Sequence, residues 1–265
     1  MIVIKDFFNL ILYQPLFNAL IFLAWLIPGH SIGWAIIILT ILIRVILLPS
    51  GLKTLHQQRR IQALQPKVSE LKDKHGDDKA AHSKALMELY AAEKVNPFGG
   101  CLPLLIQLPV LWALYQVFIH GLSTDQFNVL YSFTPRPETI NTHWFGLDLA
   151  QPERWVLPIV AGLLQYLQGR QMMGLTAGIK PKKDSEQDMS AAMTKQMTYL
   201  MPIVSVFIVR GLPAALGLYW VATTLFMIGQ QWYGLRQSVS SVPPSVKTKS
   251  GVQITIRAKG DKGTN

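Results

Sequence analysis

One arginine interrupts an apolar run that is otherwise suited to hydrocarbon. Between Ile32 and Pro49 the chain is almost entirely Ile, Leu, Val, Ala and Trp, except for Arg44. A guanidinium cannot shed its proton to escape burial. At the centre of a bilayer it costs about 2.5–3.5 kcal/mol on insertion scales, while each neighbouring Leu, Ile or Val offsets only about 0.3–0.6 kcal/mol. Two readings stay open on this run alone. Arg44 is five residues from Pro49, roughly 7–8 Å along a helix, so its side chain can snorkel to the headgroups. It can equally face a bundle interior or a wet cavity and mark a pathway. Thr40, four residues earlier, shares its helix face.

Half of the 265 residues are hydrophobic and the mean hydropathy is positive. The uninterrupted apolar runs predict an all-α, polytopic membrane protein with five spans. These are about Ile32–Leu48, Phe98–His120, Trp155–Met173, Met197–Val209 and Pro213–Leu235, set against the 17–25 residues a tilted helix needs. The fourth is short, so either it begins nearer Ala191 or the local bilayer is thin. Gly211-Leu212-Pro213 reads as a tight turn joining the last two spans.

The formal charge of +10 would suit a nucleic-acid partner, but its distribution points to a membrane. Gly51–Asn96 holds nine Lys/Arg, the loop at about 174–196 holds four, and the tail beyond Leu235 holds six. The loop Gly121–Glu153 contains only Arg136, against Asp125, Glu138, Asp148 and Glu153. The positive-inside rule places the first three regions in the cytoplasm and the last outside. The N-terminus is then external and the C-terminus cytoplasmic. Residues 1–31 are apolar but interrupted by Asn9, Gln14, Pro15 and Asn18, and they lack a signal-peptide cleavage pattern. They are expected as a helix in the outer interface, beginning near Pro15 and anchored by Trp25. A sixth span is the alternative.

Residues 51–96 predict a cytoplasmic helical hairpin. Leu52, Leu55, Ile61, Leu64, Val68 and Leu71 recur at helical spacing. Pro66 should kink or divide the first arm. His75-Gly76-Asp77-Asp78 is the turn, with an aspartate to cap the second arm. The hairpin either merely joins two spans or meets the membrane surface or another macromolecule. The Ser, Lys and Gly-rich tail 238–265 is expected to be disordered. Cys101 is the lone cysteine and is read as a packing residue.

Polar residues recur in the spans: Gln107 in the second, Gln165 and Gln168 in the third, and Tyr219, Thr223, Met227 and Gln230 in a stripe on the last. Each alone suits interhelical glue. Together with an arginine they can line a polar groove. No carboxylate occurs in any span, so Arg44 lacks an obvious ion-pair partner. Searches for HExxH, GxSxG, Walker and Cys/His metal patterns find nothing, so neither an enzyme nor a cofactor is expected. A small-molecule or ion transporter is the alternative function, but it would normally carry Asp, Glu or His in its spans.

The chain resembles the YidC/Oxa/Alb membrane protein insertases. The resemblance rests on Tyr13–Phe17, on Ile43-Arg44 through Leu48-Pro49, on Leu64–Lys67 and on Gly76–Lys79. It rests most of all on the run Ala92–Pro109, and then on Leu157-Pro158-Ile159, Met201-Pro202 and Leu218-Tyr219-Trp220. It covers roughly Tyr13 to Gln231. It implies a five-helix core with a groove open to cytoplasm and lipid and closed outside. Arg44 would be the groove charge, with Thr40 on the same wall, Tyr219 and Trp220 on a facing helix, and Gln107, Gln165 and Gln168 as further wall residues. It also implies nascent membrane proteins as clients, contact with the ribosome, the SecYEG translocon and the signal recognition particle receptor, action as a monomer, and a bacterial inner-membrane location. The chain departs from the form typical of Gram-negative bacteria, which has an extra N-terminal span and a large external domain.

Overall fold

The computed structural model describes residues 7–76, 78–96, 102–120, 128–137, 139–174 and 189–237. Cys101, Pro97–Gly100, the middle of the 174–196 loop and the tail 238–265 lie outside them. After a π-helical turn at Asn9–Tyr13, nine helices follow among the described residues. They are α1 (Gln14–Leu26), α2 (Ile32–Ile46), α3 (Leu48–Ala63), α4 (Gln65–His75), α5 (Lys79–Ala92), α6 (Leu102–His120), α7 (Val156–Gly174), α8 (Met189–Arg210) and α9 (Ala214–Gln237).

Helix α9 is central and packs on α2, α3, α6, α7 and α8. Its first turns, Ala214 through Tyr219, are buried on every side, which the small Ala214, Ala215 and Gly217 permit. Helix α7 pairs closely with α8: a Cβ at Gly162 or Gly169 would collide with Val206 or Thr198. Helix α1 packs along α2 and places Phe17, Leu20, Ile21 and Ala24 in the core, each fully buried. The segment expected in the outer interface from Pro15 is thus helical from Gln14 and carries core residues, while Trp25 stays exposed.

The surface around this bundle is apolar. Ile38, Leu42, Val45 and Ile46 on α2, Leu108 and Trp112 on α6, Ile159 and Leu163 on α7, and Ile203 and Phe207 on α8 are all exposed. A soluble monomer rarely shows apolar patches of that extent. Among the described residues, Asn9–Leu26 is long and apolar enough to cross a membrane alone, and α2 with α3 passes as a pair bent by 62°. Gln107–Ile119 and Thr198–Arg210 are shorter apolar helices. Helix α8 is nevertheless 22 residues long, so the run expected from Met197 continues a helix that starts at Met189.

The bend follows Leu47, where Pro49 stands in the first turn of α3. A second division falls at Leu64, just before Pro66 in the first turn of α4. Gly76 turns the chain at φ 47°, and the Asp78 carboxylate accepts from the amides of Ala80 and Ala81 at 3.1 and 3.0 Å to start α5. Lys67 and Glu93 form an ion pair across the hairpin. Arg59 ties α3 to the end of α9, its Nη1 donating to the Gly234 carbonyl at 3.0 Å.

At the other end a short hairpin, β1 (His143–Trp144) and β2 (Leu147–Asp148), turns through Phe145 and Gly146 at positive φ. Trp144 lies so close to Gly33 that no side chain fits there. The same segment is bonded to the starts of α2 and α9: Ile32 N donates to Asn141 O, Ala214 N to Gln151 O and Ala215 N to Leu149 O.

Glu153 caps α7. Its Oε1 accepts from the amides of Trp155 and Val156 at 2.8 and 3.0 Å, and its Oε2 from Leu157 at 2.7 Å. Burial alone would raise its pKa, but the amide hydrogen bonds outweigh burial and hold the carboxyl below its usual range. A carboxyl depressed in the folded state stabilises above its unfolded pKa, and that contribution is lost as pH falls through the folded value. Glu153→Ala is expected to destabilise the detergent-solubilised protein by about 1 kcal/mol at neutral pH. Thermal unfolding at stepped pH should show the gap to wild type narrowing as the medium becomes acidic.

Candidate functional site

The register of α2 decides where Arg44 points. Ile32, Ala35, Ile36, Leu39 and Thr40 are buried, and Ile43 and Arg44 continue that face as half-buried residues. Trp34, Ile38, Ile41, Leu42, Val45 and Ile46 form the exposed face. Arg44 therefore faces the bundle rather than its periphery. Its Nη2 donates to Gln107 Oε1 on α6 at 2.7 Å, and Gln107 Nε2 donates to the Tyr219 hydroxyl on α9 at 2.6 Å. Three helices are thus joined by one chain of hydrogen bonds from a cation to a buried phenol.

Among the described residues no carboxylate pairs with Arg44; the ion pair found is the distant Lys67–Glu93. Gln107 is a neutral acceptor and engages one of the five guanidinium N–H donors. A half-buried charge with so little compensation is costly in a dry site, so the site is chemically suited to water or to an incoming acceptor.

One helical turn further in, Leu20, Ile36, Leu39, Thr40, Leu114 and Tyr219 enclose a small cavity with room for about one water. Thr40 donates its hydroxyl proton to the Ile36 carbonyl at 2.7 Å, leaving its oxygen as an acceptor on that cavity. Arg44, Gln107, Tyr219 and Thr40 therefore come together. Gln165 and Gln168 do not join them: among the described residues neither has a hydrogen bond to that chain. They sit on α7, where Gln165 Oε1 is buried without a partner, as is Thr223 Oγ1 on α9. Trp220 is half-buried beside Tyr219, and its carbonyl accepts from Thr224 at 2.8 Å. No cluster of metal-ligating side chains occurs among the described residues.

Comparison with known proteins bears on what such a site serves. Residues 23–241 match the model of the 60Kd inner membrane protein family. The chain belongs to this family. It is 36% identical over 234 residues to a membrane protein insertase YidC of Ectopseudomonas mendocina, covering 88% of this chain and 36% of that protein. The corresponding protein of Stutzerimonas stutzeri is 34% identical over 88% of this chain and 37% of its own length. That of Azotobacter vinelandii is 36% identical over 77% and 32%. The chain spans about a third of the length of these relatives.

The matched region begins inside α1, past Gln14 and Asn18, two amides that interrupt the apolar N-terminal run. Asn18 is buried, 4% exposed. Its Oδ1 accepts from Tyr131 N at 2.7 Å and from the Thr134 hydroxyl at 2.8 Å. Its Nδ2 donates to the Gln14 carbonyl at 2.7 Å, and Gln14 Nε2 donates to the Val129 carbonyl at 3.0 Å. The available signal was the i, i+4 spacing of two amides on one face of an apolar helix. Asn18→Leu keeps the size but strands the Tyr131 amide and the Thr134 hydroxyl. It should cost about 1–3 kcal/mol, read as a lower melting temperature in detergent together with faster proteolysis within 128–137.

Proposed function

We propose that this chain is an insertase of the bacterial inner membrane, a non-enzymatic device that moves polar segments of nascent membrane proteins into and across the bilayer. The observation that carries the reading is Arg44: a cation on the inward face of an apolar helix, held by a neutral amide instead of a carboxylate. Such a charge keeps a polar, hydrated place within the membrane and shortens the apolar distance that a client's hydrophilic segment must cross. Attraction for acidic or carbonyl-rich segments is strengthened where the dielectric is low. The client's apolar helix then leaves sideways into lipid, driven by burial of its own surface, so the chain itself needs no nucleotide.

In this reading five spans form the core: α2, α6, α7, α8 and α9. The α3–α5 hairpin and the basic tail are cytoplasmic, the 121–154 loop is external and the N-terminus is external. Arg44, Thr40, Gln107, Tyr219 and Trp220 line the groove, with Gln165 and Gln168 further along its wall. The hairpin and tail receive clients from the ribosome, the signal recognition particle receptor or SecYEG, and the chain works as a monomer. The relatives named as insertases and the apolar periphery of the bundle support this assignment.

Reconstitution of the full chain in liposomes with a short client bearing an acidic tail tests the proposal, with protease protection of the tail as the readout. Wild type should protect the tail well above empty liposomes. Arg44→Ala should lower protection about tenfold, equivalent to roughly 1.4 kcal/mol, and Arg44→Lys should keep part of the activity because charge matters more than the guanidinium fork. Wild type no better than empty liposomes would overturn the assignment.

A further inference from the structure

Resting on that reading, we propose that Gln107 is a neutral placeholder that sets the charge preference of the groove. In the empty state it occupies the hydrogen-bonding position on Arg44 that a client's carboxylate or backbone carbonyl takes over.

A carboxamide satisfies both neighbours at this position while leaving the charge of Arg44 in place. A guanidinium has donors only, so the side chain facing Arg44 must present an oxygen, and Gln107 Oε1 does so at 2.7 Å. That orientation sends Nε2 the other way, to the Tyr219 hydroxyl at 2.6 Å. Ionised glutamate could accept from both Arg44 and the Tyr219 hydroxyl, but it would neutralise Arg44. Leucine could accept from neither. Tyr219 is 4% exposed on the most enclosed stretch of α9, so it is a fixed end that positions the amide, while Arg44 is the end that changes partner.

The exchange follows from bond strength. The Arg44–Gln107 bond is charge-assisted through the guanidinium alone. A carboxylate adds the attraction of two opposite charges, strengthened at low dielectric, and can accept from the guanidinium fork at two points. A client carboxylate entering beside Arg44 therefore displaces the amide, which stays held by Tyr219 and recaptures the guanidinium when the client leaves. A client lysine or arginine gains nothing and meets a like charge. A glutamate at 107 would abolish this selectivity by closing a permanent ion pair.

The test uses the full chain in liposomes and one short client made with acidic, neutral and basic tails. Wild type should favour the acidic tail. Gln107→Glu should lower protection of the acidic tail about tenfold relative to wild type while leaving the basic tail equal or better, as expected for loss of electrostatic complementarity. Gln107→Leu should hold the acidic tail within about twofold of wild type, because Arg44 is then unoccupied. If Gln107→Glu does not elute as a folded species, Tyr219→Phe serves instead: it frees the amide's other end and should raise the ratio of acidic to neutral insertion about twofold. Equal loss for all three tails in Gln107→Glu, or tail preferences unchanged in both Gln107→Glu and Tyr219→Phe, overturns the placeholder. A wild type that inserts none of the three overturns the insertase reading itself.

Discussion

The structure turns on a charge that is half-buried without being neutralised. Among the described residues, Arg44 is held by a single hydrogen bond to an amide, and that amide by a buried phenol. The sequence of constraints runs outward from there. Helix α2 must present Ile36, Thr40 and Arg44 on one face. Helix α9 must bring Tyr219 deep into the bundle, which its run of small residues allows. Helix α6 supplies a neutral group that accepts from Arg44 and donates to Tyr219. Replacing the amide with a carboxylate would satisfy Arg44 better, but it would also remove the feature on which the proposed work depends.

The two ends of the bundle are built differently. Where the 128–152 segment lies, backbone hydrogen bonds join it to the starts of α2 and α9, and Asn18 and Gln14 fasten it to α1. At the opposite end α2 breaks at Leu47 and the chain swings away by 62° into α3. That helix stays tethered to α9 through Arg59 and the Gly234 carbonyl, with Leu55 packed over Gly234 where a Cβ would not fit. One end is fastened by a loop, and at the other α3 bends away from α2 yet stays anchored on α9.

Much of this architecture is legible in local chemistry. Pro49, Pro66, Gly76 and Asp78 act within a few residues of themselves, so turn and cap rules locate their effects. The inward face of α2 follows from the 3.6-residue period once Thr40 and Arg44 are seen to be four apart. The contact of Gln107 with Tyr219 cannot be read in the same way, because it depends on how α6 and α9 are rotated against each other. For the same reason Gln165 and Gln168 look equivalent to Gln107 in the sequence but sit outside its hydrogen-bond chain. Helix α8 begins eight residues before the apolar run at Met197 because Ser, Thr, Lys and Gln are tolerated in a helix while lowering its hydropathy. Asn18 is not legible in this way, because a polar residue in an apolar helix suggests water, whereas here its partners are in a loop more than 110 residues away.

The central claim is that a hydrated, positively charged cavity reaches into the bilayer from the cytoplasm beside α2. Its most direct test is thiol labelling in a Cys101→Ser background. Ile43 stands next to Arg44 on the inward face of α2 and lines the small cavity one turn further in, while Leu42, the adjacent residue, is 48% exposed on the apolar outer face. With a membrane-impermeant alkylating reagent, Ile43→Cys should be modified from the cytoplasmic side of membrane vesicles and not from the external side, and Leu42→Cys should resist from both. Labelling of Leu42→Cys as fast as Ile43→Cys, or of neither from the cytoplasmic side, would contradict the account.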